Sequence, residues 1–250
     1  TTTYDYVNVS FMDNYSVVGK ENSFGLMDGT FVEVLPVEFS KIEKIYLHNN
    51  YLIVMEKVGL WYYYNTSNNT LSSNGYDWIR KVPWYNSCLF MVSKDGKVGL
   101  CNDAFEVLLE PQFDDITSLY NDKFVKCKLG GTYKLYAIEE KKIIAENYCE
   151  IEKFSCCYFK VHNNDLCGML NFCGELCIPV ECLDIEEIKT CRKQENEDVF
   201  KCVVSDGSYG FSILEQKILI PLGFDDFCRW NDNVFIVEKD SLCGLYQVDK

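Results

Sequence analysis

The residue types that first suggest chemistry in this chain are two pairs of adjacent carboxylates, Asp114-Asp115 and Asp225-Asp226. Carboxylate pairs can act as acid and base in hydrolysis, and their oxygens can bind calcium. Neighbouring residues of a strand point to opposite faces, so the two members of one pair do not converge on one atom or ion. We therefore expect these oxygens to accept hydrogen bonds in turns and caps rather than to catalyse a reaction.

Cysteine and histidine suggest a second chemistry, because the chain has 14 Cys and 2 His. His162 lies in a cysteine-rich segment, but Cys173, Cys177 and Cys182 form no paired Cys-x2-Cys arms of the kind that zinc sites use. A Cys–His catalytic pair rests only on the presence of both residue types. The common nucleotide-binding, zinc-protease and serine-hydrolase motifs do not occur in the sequence. We predict no catalytic residue, no metal site and no cofactor, and hence that the protein is not an enzyme.

An aromatic-rich segment between residues 61 and 85 contains three of the four tryptophans. Alternation along a strand sends Trp61 and Tyr63 to one face and Tyr62 and Tyr64 to the other, so both faces are aromatic. Aromatic rings with polar tips are favoured at protein interfaces and sugar-binding surfaces. Packing between neighbouring sheets is the alternative explanation for these rings. The binding residues that we predict are Trp61, Tyr63, Tyr76, Trp78, Trp84 and Tyr85.

A repeated unit must position these residues. A Gly-Leu-like pair returns about every 35 residues, and a period of this size indicates one small supersecondary unit used many times. Around the pair lie an apolar run, a hairpin-turn sequence such as Asp95-Gly96, and a run that ends near a proline. An aromatic-acidic segment such as Phe113 to Ile116 completes the unit. The central residues of the seven pairs are Gly25, Gly59, Gly99, Lys134, Gly168, Gly210 and Gly244.

Each unit is predicted to hold four short strands, because Val, Ile, Tyr and Phe are enriched and turn residues separate the runs. Proline cannot donate to a strand ladder, so its recurrence in the third run marks a strand end or an edge. The prolines at this position are Pro36, Pro111, Pro179 and Pro221. The predicted fold class is all-β, with seven four-stranded repeats of about 35 residues.

The two ends of the sequence bear on how the repeats are arranged. Tyr4 to Val7 resembles Phe113 to Ile116, so the sequence starts in the last quarter of one unit and stops after the Gly244 segment of another. Segments from both ends could complete one sheet, which predicts a closed seven-bladed β-propeller-like ring. The alternative is an open β-solenoid or superhelical stack, and a low-resolution envelope would distinguish the two. Residues 1–250 are expected to form a single β-repeat domain, and the start at Thr1 is compatible with a fragment of a longer protein.

Charge and hydropathy narrow the range of partners. The formal net charge of −14 argues against nucleic acid and anionic membranes, which need a basic face, and it leaves a basic protein or peptide as a candidate. No apolar run reaches the roughly 18 residues that a membrane-spanning helix needs. Cys127, Cys202 and Cys243 occupy apolar strand positions, as free thiols do. Reduced thiols predict a cytoplasmic protein, and we expect this domain to be a monomer.

The repeat resembles that of the WG-repeat family, whose unit runs aromatic-x-Val, a turn, Lys-Trp-Gly-Leu, Val-Ile-Pro and a Tyr-Asp-Asp-Ile-like end. Residues 92–116 are the most similar, and the similarity extends over essentially the whole chain. The tryptophan that names the family is replaced by Phe, Val, Tyr or Cys in every copy. The resemblance implies a mostly bacterial type of β-repeat protein with a binding or scaffolding role and no shared active site.

These observations predict a non-enzymatic scaffold or sensor module that binds a protein or peptide through its loops and its aromatic segment. A lectin-like module for a carbohydrate or another small ligand is the main alternative, with the same aromatic residues as its site. A hydrolase with a funnel-shaped central site is the third hypothesis, because such a site can be assembled from scattered carboxylates.

Overall fold

A computed structural model of the chain describes residues 3–12, 14–47, 51–83, 87–120, 123–155, 157–188, 199–213, 216–231 and 233–248. These residues form strands and turns without any helix, which confirms the all-β prediction. Consequently, nothing in the described ranges is a helix long and apolar enough to cross a membrane. The described strands form seven antiparallel sheets, six with four strands and the last with three.

The first three sheets each contain strands that follow one another along the chain. The first sheet consists of β1 (Tyr6–Met12), β2 (Tyr15–Lys20), β3 (Ser23–Asp28) and β4 (Glu33–Phe39). The second consists of β5 (Lys41–Tyr46), β6 (Tyr51–Lys57), β7 (Leu60–Asn65) and β8 (Thr70–Leu71). The third consists of β9 (Trp78–Lys81), β10 (Leu89–Lys94), β11 (Lys97–Asn102) and β12 (Val107–Phe113).

The remaining sheets follow the same order. The fourth consists of β13 (Asp115–Tyr120), β14 (Phe124–Leu129), β15 (Thr132–Ala137) and β16 (Lys142–Tyr148). The fifth consists of β17 (Glu150–Lys153), β18 (Tyr158–Asn163), β19 (Leu166–Asn171) and β20 (Leu176–Cys182). The sixth consists of β21 (Asp184–Glu187), β22 (Val199–Val204), β23 (Gly207–Ser212) and β24 (Lys217–Phe224). The seventh consists of β25 (Asp226–Asn231), β26 (Val234–Lys239) and β27 (Leu242–Gln247).

Two-residue turns join the second and third strands of most sheets, as the turn sequences predicted. Between β10 and β11, Asp95 and Gly96 have φ values of 52° and 72°. Between β26 and β27, Asp240 and Ser241 have φ values of 50° and 62°. Positive φ at both central residues is the type I′ geometry, whose twist matches that of the flanking strands.

The proline-containing run and the aromatic residue after it belong to one strand, which corrects the predicted strand divisions. Pro36 lies inside β4 and Pro111 inside β12, and both strands are at the edge of their sheets, where a missing N–H donor costs no ladder bond. The predicted strand end at proline is therefore wrong, and the predicted edge is confirmed. Strand β12 continues to Phe113, and β13 begins at Asp115 in the next sheet.

The aromatic-acidic segment is thus a junction between sheets and not the fourth strand of a unit. Five junctions consist of one residue, at Ser40, Asp114, Cys149, Leu183 and Asp225. It follows that the segment at Tyr4 to Val7 leads into the first strand of a sheet, since β1 begins at Tyr6. The prediction that the first and last segments share a sheet is wrong for the described strands, because β1 pairs with β2 and the seventh sheet consists of β25, β26 and β27. The ring and the open stack both remain predictions.

Two of the seven predicted central residues are misplaced. Gly25, Gly99, Lys134, Gly168 and Gly244 are each the third residue of the third strand of their sheet. In the second sheet Tyr62 has this position, and Gly59 lies in the preceding turn with φ 75°. In the sixth sheet Tyr209 has it, because Cys202 pairs with Tyr209 just as Val18 pairs with Gly25.

The chain divides into two compact units, and each has its own cores. The first unit comprises residues 1–130 and 137–141, and the second comprises residues 131–136 and 142–250. In the first unit, Leu26 and Phe39 of the first sheet pack against Ile53 and Tyr64 of the second. In the second unit, Ile220 of the sixth sheet packs with residues of the seventh, including Phe235 and Val237. Apolar faces of successive sheets therefore supply the cores within each unit.

Candidate functional site

The carboxylates at the sheet junctions bond to turns. The junction N–H donates to a carbonyl of the following hairpin at seven equivalent positions, with N···O distances of 2.7–2.9 Å. At Asp114 this carbonyl belongs to Lys128, and one carboxylate oxygen of Asp114 also accepts the Gly130 N–H at 2.9 Å. Asp225 accepts the Asp240 N–H in the same way, at 2.6 Å. These hydrogen bonds fix each junction residue to the turn of the hairpin that follows it.

The second carboxylate of a pair has a different partner, as strand alternation requires. Asp226 accepts a hydrogen bond from Lys201 Nζ at 2.8 Å, while Asp225 bonds to the turn at Asp240. Across the described ranges, no three His, Cys, Asp or Glu side chains come together in a way that could hold a metal ion. The paired carboxylates thus stabilise the local structure, and the described residues do not bring them to one site.

Several of the described cysteines are buried in the cores, among them Cys101, Cys167 and Cys202. Burial raises the pKa of Cys101 to about 12 and is the main cause that raises the pKa of Cys167 to about 11. A thiol with a raised pKa and no exposed surface is a poor nucleophile. The His162 ring pairs with Glu152 at 3.2 Å, and the bond that His162 makes to a cysteine is a main-chain one, in which the Cys149 N–H donates to the His162 carbonyl at 2.8 Å. His48 lies outside the described residues.

The predicted aromatic binding residues divide between the core and the surface. Tyr63 and Tyr76 are buried, and their rings stack with centroids 6.2 Å apart. Both belong to the core between the second and third sheets, which also contains Phe90 and Cys101. Burial is the main cause that raises the pKa of both tyrosines. Packing between sheets, the alternative explanation, therefore accounts for these two rings.

Trp61 and Trp78 are half-buried, and a cation lies over each ring. Lys41 Nζ is 5.6 Å from the Trp61 ring centroid, and the Arg80 guanidinium carbon is 4.5 Å from that of Trp78. A ring face covered in this way is less open to a sugar or an aromatic ligand. Trp84 and Tyr85 lie outside the described residues.

Two cavities that the sequence did not indicate follow the edge strand β1 in the first unit. The first has a volume of about 530 Å³, and its apolar walls include Tyr6, Phe11, Phe24 and Ile42. The second has a volume of about 710 Å³, and β1 contributes its residues from Val9 to Met12. Phe11 lines both cavities, so they meet at this buried ring. We call the two cavities together the β1 groove.

Lysine and tyrosine side chains from the second sheet face β1 across the second cavity. Lys44 Nζ donates to the Phe11 carbonyl at 2.7 Å and lies 5.7 Å from the Phe11 ring centroid. The same ammonium group is 5.5 Å from the ring centroid of Tyr51, which is exposed. Tyr15 completes this wall, and burial followed by the negative charge of Asp28 raises the pKa of its hydroxyl. The wall presents an ammonium group and a neutral phenol, and both can donate hydrogen bonds.

Residues far apart in the sequence form the β1 groove. Phe11 and Lys44 come from different sheets, and Thr66 comes from the turn after β7. No spacing in the sequence connects these positions. The nearest signal is the irregular pairing of β1 with β2, whose register shifts between Asn8 and Met12, and this shift is visible only in the folded chain.

Comparison with known proteins supports the repeat. Residues 99–133 match the profile of the family described as WG containing repeat. The resemblance to WG repeats is thereby confirmed. A search of curated proteins finds no match to this chain. Two solved structures that a structural comparison matches to the chain are Kluyveromyces lactis Hsv2 and the Cps50 (Swd1) beta-propeller domain of Myceliophteria thermophila.

Both structural similarities are low. Hsv2 is 11% identical, with a TM-score of 0.30 over 83% of this chain and 73% of that chain. The Swd1 domain is 9% identical, with a TM-score of 0.29 over 100% of this chain and 97% of that chain. The fold of the present chain is defined by its own strands and their pairing.

Proposed function

We propose that this protein is a non-enzymatic scaffold that binds an extended peptide of a partner protein in the β1 groove. The observation that carries the proposal is that two cavities follow consecutive parts of one edge strand and meet at Phe11. An extended peptide can lie along an edge strand, with main-chain hydrogen bonds for affinity and pockets for alternate side chains. The two volumes are within the usual range of about 300–1,000 Å³ for ligand sites.

The walls of the groove define the peptide that would fit. The first cavity, with Tyr6, Phe24 and Ile42, suits an aliphatic or aromatic side chain. In the second, Lys44 is beside Tyr51 and suits a carboxylate or a main-chain carbonyl. The formal charge of −14 favours a basic partner at long range, so the best ligand combines basic flanks with one acidic or carbonyl group at Lys44.

A peptide selection with charge-reversed variants tests this proposal. Peptides would be selected from a random phage-displayed library on the immobilised protein, and their affinities would be measured by fluorescence polarisation. We expect Lys44→Glu to weaken the selected peptides at least about tenfold, because a carboxylate replaces the donor in the second cavity. The matched control is Lys94→Glu, which makes the same charge change at the end of β10, away from both cavities.

Two results would overturn the proposal. One is a set of peptides that bind Lys44→Glu and Lys94→Glu with equal affinity, which would put the binding surface elsewhere. The other is a selection that yields no peptide while a glycan array gives specific binding, which would favour the lectin-like alternative. Thermal melts of both variants must first show that each is folded as the parent protein is.

A further inference from the structure

Two buried sulfur atoms meet where the fifth and sixth sheets pack together in the second unit. Cys182 is the last residue of β20, and Cys202 lies in β22. Both residues are 0% exposed and belong to the same core. Their thiols share a hydrogen bond. Two sulfurs in such contact have to approach by less than about 2 Å to reach the disulfide bond length of about 2.05 Å.

Other sheets place apolar residues of other types at these two positions. The equivalents of Cys182 in the first, third and sixth sheets are phenylalanines, at Phe39, Phe113 and Phe224. The equivalents of Cys202 in the first, third, fifth and seventh sheets are valines, at Val18, Val92, Val161 and Val237. The architecture thus needs only apolar bulk at either position, so the repeat itself does not account for two thiols in contact.

Tyr209 brings a hydroxyl group to the same two sulfurs. Its oxygen lies 3.8 Å from Cys182 Sγ, and it also hydrogen-bonds to the Cys202 thiol. The hydrogen bond from Cys202 is the main cause that lowers the pKa of Cys182 below the usual thiol value, burial opposes it, and the bond from Tyr209 assists. Cys182 is therefore the sulfur of the pair that ionises more readily, and the thiolate is the reactive form of cysteine.

We propose that Cys182 and Cys202 are a site of reversible oxidation, at which hydrogen peroxide converts the two thiols into a disulfide between the fifth and sixth sheets. The Cys182 thiolate attacks one peroxide oxygen, so that an S–O bond forms, the O–O bond breaks, and hydroxide leaves and takes up a proton. The Cys202 sulfur then attacks the Cys182 sulfur, the S–S bond forms, and the S–O bond breaks as water leaves with the Cys202 proton. Each sulfur loses one electron, and the peroxide gains two.

Burial selects the oxidant. Because neither residue has exposed surface, the reagent has to enter the core between the two sheets. Hydrogen peroxide is little larger than water, whereas oxidised glutathione would have to fit a tripeptide beside Cys182 during thiol–disulfide exchange. A close-packed core has no room for such a group. We therefore expect peroxide, and not a bulky disulfide, to oxidise the pair in the folded protein.

Cys167 is the competing partner for Cys182. The two residues are opposite each other on β19 and β20, and both belong to the same core. Burial is the main cause that raises the pKa of Cys167 to about 11. The Cys182 thiol is hydrogen-bonded to Cys202 and Tyr209, so the sulfur already aligned with it is that of Cys202. The expected disulfide is Cys182–Cys202.

Mass spectrometry after digestion with trypsin and a glutamate-specific protease locates the cross-link. Cleavage after Glu181 and Glu186 isolates Cys182 in residues 182–186, and cleavage after Lys201 and Glu215 isolates Cys202 in residues 202–215. The reduced protein would be treated with hydrogen peroxide, and the remaining thiols would be blocked with N-ethylmaleimide in urea. We expect these two peptides to be joined and dithiothreitol to separate them.

Urea unfolding measures the effect of the cross-link on stability. Cys182 and Cys202 are 20 positions apart in the sequence, and a disulfide across such a loop restricts the unfolded chain. We expect oxidation to raise the midpoint of urea unfolding by about 1 M and reduction to reverse the rise. In Cys182→Ala, peroxide should produce neither the cross-link nor the rise.

Cys127→Ala is the matched control. Cys127 is the fourth residue of β14, as Cys202 is of β22, but the residue of the preceding sheet that corresponds to Cys182 is Phe113. This variant should form the Cys182–Cys202 cross-link as the parent does. Thermal melts must show that each variant is folded before oxidation, and Cys202→Ala replaces Cys182→Ala if the latter is not.

Three results would each contradict this inference. The first is that peroxide leaves the two peptides unjoined, with the sulfurs either unchanged or oxidised to sulfinic acid. The second is that Cys182 is joined to Cys167 instead. The third is an equal rise of the urea midpoint in the parent and in Cys182→Ala. No step involves Lys44, so failure here leaves the β1 groove proposal standing.

Discussion

At the scale of single residues, Asp114 is the one-residue connection between β12 of the third sheet and β13 of the fourth. Its N–H bonds to the Lys128 carbonyl, and its side chain accepts the Gly130 N–H and a hydrogen bond from Lys97. The hydrogen bond from Lys97 and then that from Gly130 hold the pKa of the Asp114 carboxyl below its usual value. The ionised form is therefore the one that fits the folded chain.

This preference predicts a pH-dependent effect of Asp114→Asn. A carboxyl whose pKa is lower in the folded than in the unfolded chain stabilises the fold above the unfolded pKa, and this stabilisation is lost as the pH falls through the folded pKa. Urea unfolding should show Asp114→Asn less stable than the parent at neutral pH. The difference in the free energy of unfolding should shrink as the pH falls below about 4, where the unfolded carboxyl takes up a proton. It should be lost below the folded pKa, where the folded parent is protonated as well.

The control for this experiment is Asp103→Asn, in the turn before β12. It makes the same change of charge at a position that is not a sheet junction. A difference for Asp114→Asn that stays constant from neutral to acidic pH would contradict the role of the ionised carboxylate. Hydrogen bonds that survive protonation would then explain the stabilisation.

From residue types alone, five of the seven central positions of the repeat were predicted correctly and two were misplaced. Gly59 has the expected spacing but lies in a turn, with φ 75°. The sequence alone does not distinguish a glycine that adopts positive φ from a glycine that allows close contact between strands. A side chain is allowed at the equivalent position, Tyr62, because the fourth strand of this sheet, β8, has only two residues. Its described pairs are with Tyr64 and Asn65. Which of these two roles a glycine has depends on the neighbouring strand, and the sequence does not show how close that strand comes.

At the scale of secondary structure elements, the close contact between third and fourth strands is the feature with the largest expected energetic effect. In the first, third, fifth and sixth sheets the pairing of these strands has a register shift around the third residue, as between Val98 and Leu100 in the third sheet. The shift directs the Leu109 carbonyl to the Cα of Gly99. A side chain at Gly99 would push the backbone of β12 away.

We therefore predict that Gly99→Val destabilises the protein by about 2 kcal/mol or more, because backbone atoms cannot yield as a flexible side chain can. The free energy of unfolding from urea titration is the appropriate measurement. Gly244→Val provides the matched comparison, since among the described residues an added Cβ at this equivalent position meets only a Val237 methyl carbon, at 3.8 Å. Equal losses in the two variants would show that intrinsic strand preferences, and not the contact, determine the effect.

The strands themselves were largely predictable, because apolar runs alternate with turn sequences such as Asp95-Gly96. The divisions between sheets were not. A single junction residue separates Phe113 of one sheet from Asp115 of the next. The aromatic-acidic segment recurs at these junctions, but its residue types do not show that the chain changes sheet there. A run of strand-forming residues has the same composition whether the chain continues in one sheet or passes into the next.

At the scale of the whole molecule, the cysteines show how burial and reactivity are distributed. Cys101, Cys167 and Cys202 are buried, whereas Cys149 and Cys173 are exposed. In a folded protein, thiol reagents reach exposed groups first, and burial also suppresses the thiolate that reacts. The described cysteines form no disulfide with one another, and Cys101, Cys167 and Cys202 occupy apolar positions in strands.

Alkylation of the native protein should follow this distribution. We expect iodoacetamide to modify Cys149 and Cys173 at least about tenfold faster than Cys101 and Cys167, as read by mass spectrometry of tryptic peptides. Denaturation in urea should remove the difference and serves as the control. Rapid modification of Cys101 in the folded protein would mean that the core between the second and third sheets opens.

The candidate sites were the least predictable feature at this scale. The aromatic segment attracted attention because of its composition, yet Tyr63 and Tyr76 belong to a core. The β1 groove depends on Lys44 reaching the Phe11 carbonyl from another sheet, a contact that spans 33 positions of sequence. Composition indicates where aromatic surface is abundant, while only the fold determines which of it stays accessible.

The one-residue junctions limit how this architecture can change in length. A residue inserted at Asp114 would displace the N–H that bonds to Lys128, and the strands on both sides leave no slack to absorb it. Gains of sequence are better tolerated within a sheet, as in the turn between β7 and β8. Laboratory grafts of new binding loops should therefore succeed between β7 and β8 and fail at Ser40, Asp114 or Cys149.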